Sequence, residues 1–164
     1  MTNAYSFAVT PFDDSAVVEL LTTYRNEVSE READAGRSLD MSMMTGTAAD
    51  ATADQMVPPN GVFLGVFRDG VLIGCGGVRA TDDRTCEIKR MFVATSARGG
   101  GIARALLIRL ETEGAGLGCE TARLDTRTVL TEARALYLSA GYIEVDRYND
   151  NPFAQHWFEK QLDR

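Results

Sequence analysis

The stretch with the most chemistry in its residue types is Glu87-Ile-Lys-Arg-Met-Phe-Val-Ala-Thr-Ser-Ala-Arg-Gly-Gly-Gly-Ile-Ala-Arg-Ala-Leu-Leu107. A strand-like run enters a glycine-rich turn, and the turn opens directly into residues spaced as an amphipathic helix. The first amides of a helix lack internal partners and lie at the positive end of its dipole. Glycine removes the Cβ atoms that would hold an anion at a distance. Gly99, Gly100 and Gly101, with the amides of Ile102, Ala103 and Arg104 behind them, therefore make a cradle for phosphate oxygens, and Arg98 adds a cationic donor. One exposed contact of this kind is worth only about 0.3–1 kcal/mol, so several amides must converge. The same three glycines also read as a plain flexible turn. Two rival phosphate motifs are open to direct inspection. The P-loop pattern GxxxxGK[ST] is absent, and GxGxxG fails because Arg104 stands where its last glycine belongs. Asp125 lies at a distance suited to a ribose hydroxyl, which keeps a dinucleotide site open. A domain of that type begins with its βαβ unit, however, and here a helix and a hairpin come first.

Other reactive residue types carry weaker signals. His156, the single histidine, falls in a strand-like segment near the end and reads as a structural or surface residue before it reads as a base. Cys75, Cys86 and Cys119 are odd in number and lack CxxC spacing, which argues against a zinc site or a disulfide framework and for a reducing, cytoplasmic setting. They lie in or beside strand-like runs, where a free cysteine is normally core. Met41, Met43 and Met44 could line an apolar acceptor pocket or simply pack.

The positioning elements follow from periodicity. Tyr5 to Thr10 alternates apolar and polar residues as a strand does. Asp13 or Asp14 caps the next helix, whose apolar face is Val17, Leu20, Leu21, Tyr24 and Val28. From Arg31 to Pro59 the pattern weakens to a loop with one short helix. Val62–Phe67 and Val71–Val78 form a hairpin around Asp69-Gly70, and Cys86–Val93 adds a third strand. Ala103, Leu106, Leu107 and Leu110 mark a helix that runs out in Gly114-Ala-Gly-Leu-Gly118. Thr121–Thr126 is then a strand, parallel to the one before the helix if the three form a βαβ unit. Thr131–Ala140 is a helix stopped by Gly141, and strands at Tyr142–Asp146 and Gln155–Leu162 close the chain.

Bulk properties narrow the partners. The chain has 164 residues, which suits one domain spanning 1–164, and 45% apolar residues, enough for a proper core. Its net charge of −7 repels nucleic acid and tends to attract cationic substrates such as amines. No apolar run reaches the roughly 18 residues of a membrane span, and the first residues carry no export signal.

Two motifs together resemble the GNAT superfamily of acetyltransferases. Arg98-Gly-Gly-Gly101-Ile-Ala103 matches its [QR]-x-x-G-x-[GA] pattern, and Ala133-Arg-Ala-Leu-Tyr137-Leu-Ser-Ala-Gly141-Tyr142 resembles its A-x-x-L-Y-x-x-x-G-[FY] segment. Ile88–Val93 looks like the family's fourth strand, and Asn151–Leu162 is similar to its closing strand. The resemblance covers about residues 62–162. It implies a mixed, mostly antiparallel α/β sheet of six to seven strands, with helices on both faces and a central βαβ unit. It also implies that the acyl-pantetheine arm of acetyl-CoA lies in a wedge beside Met91, Phe92 and Val93, with the pyrophosphate on residues 98–104. Tyr137 then protonates the leaving thiolate and Glu87 relays the amine's proton to water. Many members carry asparagine three residues before the first alanine of the second motif; here that residue is Leu130. The function so implied is direct acetyl transfer from acetyl-CoA to a primary amine of a small molecule, amino acid or peptide, with no metal. A sensor that binds acyl-CoA without turnover is the rival reading, and a homodimer stays open.

Overall fold

A computed structural model describes residues 4–38 and 55–163. Met41, Met43 and Met44 lie outside the described residues. Seven strands form one sheet: β1 (Ser6–Val9), β2 (Gly61–Arg68), β3 (Val71–Ala80), β4 (Thr85–Val93), β5 (Thr121–Thr126), β6 (Ile143–Val145) and β7 (His156–Gln161). Their spatial order is β1-β2-β3-β4-β5-β7-β6. Every neighbouring pair is antiparallel except β4 and β5. Among the described residues three longer helices connect them: α1 (Ser15–Asp34), α2 (Ile102–Gly116) and α3 (Thr131–Ser139). This is the mixed sheet expected from the periodicities and from the family resemblance. Among the described residues no helix is long and apolar enough to cross a membrane.

Local chemistry explains the elements. Asp14 caps α1, its carboxylate accepting the Ala16 amide at 2.9 Å. Apolar periodicity predicts that helix only as far as Val28, yet it runs to Asp34. Its last turns carry Arg31 and Glu32, which replace apolar contacts with ion pairs to Glu27, Glu132, Arg37 and Arg127. The β2–β3 turn takes positive φ at both Asp69 (51°) and Gly70 (78°), the twist a two-residue hairpin requires.

The sheet has a core on each face. On one, Val17, Leu20 and Leu21 of α1 pack over Phe63, Cys75 and Phe92. On the other, Leu106, Leu107 and Leu110 of α2 pack over Ile88, Val93 and Leu124, joined by Tyr137 and Phe158. Glycine sets how closely α2 approaches. A Cβ on Gly114 would stand 2.6 Å from the Cys86 Sγ, and one on Gly76 would stand 2.8 Å from Leu110.

Candidate active site

The site begins where the parallel pair comes apart. β4 and β5 are in register only from Thr85–Thr121 to Glu87–Arg123. Beyond that point they diverge, and Arg90 takes φ 57°, a bulge that breaks the alternation of β4. The Ala94 amide bonds back to Ile73 on β3 at 2.9 Å. By strand alternation the polar backbone groups of Val93 then face away from β3, into the wedge. A cavity of about 650 Å³ fills this wedge, walled by Met91, Phe92 and Val93 on one strand and by Asp125 and Thr126 on the other, with Arg127 just beyond it.

At one end the cavity reaches the turn before α2. Gly99 and Gly101 hold φ of 83° and 74°, and no atom lies within 4 Å of where a Cβ would stand on Gly99, Gly100 or Gly101. Gly101 is the N-cap and offers no side-chain acceptor. The first amide bonded inside the helix is that of Ala105, to the Gly101 carbonyl at 3.0 Å. The amides of Ile102, Ala103 and Arg104 are therefore the unclaimed donors of the helix start, facing open space. That arrangement fits the diphosphate of a CoA thioester.

Arg98, expected from the sequence as a phosphate donor, lines the cavity. Its Nη1 and Nη2 donate to both oxygens of Glu27 on α1 at 3.0 and 2.8 Å. Its Nε donates to the Val93 carbonyl at 3.0 Å, and the group lies over the Phe92 ring. Arg98 thus fastens the turn to α1 and occupies the Val93 acceptor. Burial works against the Glu27 charge, but the hydrogen bond and charge of Arg98 hold its carboxyl below the usual range. Arg104 lines the cavity and donates to Ser139 of α3.

Tyr137 lines the same cavity from α3, along with Leu130 and Leu136. It is buried, its ring packed against Tyr142 and Phe158. Burial pushes its pKa well above 10.0, and the nearby Tyr24 and Asp125 add to the shift. Leu130 occupies the N-cap of α3 and makes no side-chain capping bond, so an apolar wall stands where an amide is common in similar sequences.

Glu87 does not line the cavity. It is 3% exposed and lies behind the wall, on the α1 face of the sheet. Arg79 donates to it at 2.9 Å, Lys89 lies at 3.2 Å and Asn149 donates at 3.3 Å. Burial alone would raise its pKa, but the charges of Lys89 and Arg79 outweigh that and lower it. Asp125 is one of four carboxylate residues that line the cavity, with Glu27, Glu132 and Asp150. It accepts from Asn149 at 2.7 Å, from Asn151 at 3.0 Å and from Lys89 at 3.5 Å. Asn149 Nδ2 and Lys89 Nζ each touch both carboxylates, so Glu87 stands one hydrogen-bond step behind Asp125. The sequence hinted at Asp125 only through the dinucleotide reading. Its link to Asn149 and Asn151 joins β5 to the loop before β7, which no local spacing announces.

The remaining candidates are accounted for elsewhere. His156 bridges Glu144 at 2.6 Å and the Thr128 hydroxyl at 3.1 Å, away from the cavity. The three cysteines are free and buried, and burial pushes the thiols of Cys75 and Cys86 up to about 12, so neither is a ready nucleophile. Among the described residues no cluster of three metal-ligating side chains occurs.

Comparison with known proteins gives a consistent result. Residues 25–142 match the model of the acetyltransferase (GNAT) family. An IAA acetyltransferase from Azospirillum brasilense is 37% identical over 90 residues, covering 54% of this chain and 59% of that protein. The uncharacterized N-acetyltransferase YjgM of Escherichia coli K12 is 27% identical over 107 residues, 61% of this chain and 64% of that one. The matches thus span about three-fifths of the length of these curated relatives. Among solved structures, the PaiA N-acetyltransferase of Thermoplasma acidophilum in complex with coenzyme A superposes with a TM-score of 0.74 at 17% identity, over 96% of this chain and 99% of that one. A GNAT-family acetyltransferase from Elizabethkingia anophelis with acetyl-CoA bound gives 0.66 at 16%, over 99% and 100%. At such identities the likeness speaks for the fold.

Proposed function

This chain belongs to the acetyltransferase (GNAT) family, and from that premise we propose that it transfers the acetyl group of acetyl-CoA directly to a primary amine of a small molecule, amino acid or peptide. The observation that carries this reading is a single cavity bounded at one end by the open glycine turn of α2 and along its wall by the Tyr137 side chain. The thioester supplies an activated acyl carbon, so the C–N bond forms as the C–S bond breaks and no enzyme nucleophile is needed. Main-chain groups of Met91 and the amide of Val93 hold the arm in the wedge, and the amides of residues 102–104 hold the diphosphate. Tyr137 gives its proton to the departing thiolate.

The amine must arrive neutral. Deprotonating a lysine-like amine at pH 7 costs on the order of 4–5 kcal/mol, whereas an α-amino group of pKa about 8 costs roughly 1 kcal/mol. Glu87, enclosed and held ionised, is placed to position rather than to accept. The proton passes to water beside Asp125, and Glu87 acts on that carboxylate through Asn149 and Lys89. The buried free thiols suit a reducing compartment, and we place the reaction in the cytoplasm.

Two measurements test the proposal together: calorimetric titration with acetyl-CoA, and thiol release in the presence of a panel of amines. Binding with amine-dependent release is expected. Binding without release from any amine turns the reading toward a sensor, and no binding of any CoA thioester removes it.

A further inference from the structure

The wall of the cavity beyond β5 carries a buried cationic N–H that has no acceptor among the described residues. Arg127 lines the cavity directly after β5, two residues from Asp125. Its side chain is 9% exposed, and its guanidinium lies over the Phe153 ring, 5.0 Å from the centroid. Nη1 donates to Glu32 at 3.2 Å, but Nη2 is buried with no hydrogen-bond partner among the described residues. Nor does Glu32 neutralise it fully, because its other oxygen accepts from Arg37 at 2.6 Å. Glu32 is thus shared between the buried Arg127 and Arg37, whose side chain is 43% exposed. The neighbouring group of Arg79, Lys89, Glu87 and Asp125, by contrast, is balanced. A buried cationic N–H aimed at no acceptor is costly unless a ligand completes it.

Asp125 supplies the second half of the pattern. A carboxylate offers about four lone-pair sites, and Asn149, Asn151 and Lys89 take three of them. The fourth is left for a ligand, and Asp125 lines the cavity. Resting on the acetyl-transfer reading above, we infer that the acceptor is a small aminocarboxylate, its nitrogen beside Asp125 and its carboxylate on Arg127. Arginine suits this role because its planar fork binds a carboxylate directionally. Phe153 holds the fork flat from one side. The acidic surface of the whole molecule does not decide the matter, because a local buried charge outweighs remote screened ones.

The test compares amino acids with the amines that remain when the carboxyl group is removed, L-phenylalanine against 2-phenylethylamine among them, across all side-chain classes. For the best pair the wild type is expected to favour the acid in kcat/KM by at least about thirtyfold. Arg127→Gln should abolish that preference through a higher KM for the acid, with the KM for acetyl-CoA held. Arg127→Lys should restore part of it. Because Arg127 also ties β5 to α1, Glu32→Gln serves as the structural control: it breaks the same ion pair, leaves the guanidinium in place, and should keep the preference. A wild type that acetylates amines with or without the carboxylate equally well, or an Arg127→Gln protein that discriminates as before, overturns the inference while leaving acetyl transfer intact. Failure of acetyl-CoA to bind at all overturns both.

Discussion

Tyr137 holds its proton more tightly than free tyrosine, because its surroundings are dry and the charge of Asp125 opposes a phenolate. The acid form therefore persists through the whole neutral and mildly alkaline range. Activity should rise with pH as the amine deprotonates, and its falling limb should lie above about pH 10; a fall already at pH 8–9 would assign the acid to another group. Tyr137→Phe should lower kcat by about 100-fold while the Kd for acetyl-CoA, measured by titration, stays near that of the wild type. Equal turnover in the mutant removes Tyr137 from the chemistry. The position of Tyr137 was readable because its motif is local. The partners of Arg98 and Glu87 were not, since Glu27, Arg79 and Asn149 come from other elements and meet them only after the sheet forms. Arg98 lines the cavity, and only the fold shows that Glu27 also pairs with it.

Among the elements, α2 is governed by glycine at both ends, and for different reasons. Gly101 sits in left-handed backbone facing open space, so Gly101→Val strains the turn by about 1–3 kcal/mol without striking a neighbour. The variant should fold, with a lowered melting temperature, and lose acetyl-CoA binding because the side chain fills the cradle. Gly100 has no such backbone requirement, and Gly100→Ala should bind nearly as the wild type does; loss of affinity in both would point to general disturbance of the turn. At the other end, Gly114→Ala drives a methyl group against the buried Cys86 Sγ. Overpacking of that kind costs about 1–3 kcal/mol, or about 2–4 °C of melting temperature per kcal/mol. Gly116→Ala, two residues on with nothing within 4 Å, should leave stability unchanged or raise it. Strands and helices of this kind were legible because one apolar face repeats at period 2 or 3.6. The final turns of α1 were not, since ion pairs carry no period. The divergence of β4 from β5 was equally hidden: it depends on where inter-strand register ends, which a single strand's residues do not encode.

At the scale of the whole molecule, stability in acid sets two electrostatic effects against each other. The chain carries a net charge of −7 at pH 7 and reaches neutrality near pH 4.7, so diffuse self-repulsion alone would make it most stable around that pH. Specific pairing argues the other way. Glu27, Glu32 and Glu87 all have folded pKa values below the ordinary 4.5, because in each case arginine or lysine partners outweigh the burial that would raise them. With the folded values depressed, the unfolded chain binds more protons as pH falls below about 5, and unfolding gains ground. The contribution is fully present above the unfolded pKa and disappears as pH drops through the folded ones. Glu32 at 1% exposure and Glu87 at 3% are buried, and Glu32 joins α1 to the end of β5, so their pairs should win over screened surface repulsion. Urea unfolding midpoints are expected to be level from pH 6 to 8 and to decline steadily between pH 5 and 3.5, with no maximum near 4.7. Glu32→Gln should lower the plateau and flatten part of that decline, since the glutamine cannot titrate. A wild-type maximum at the isoelectric point, or a mutant curve parallel to the wild type, would mean that the ion pairs anchoring α1 contribute no pH-dependent stability.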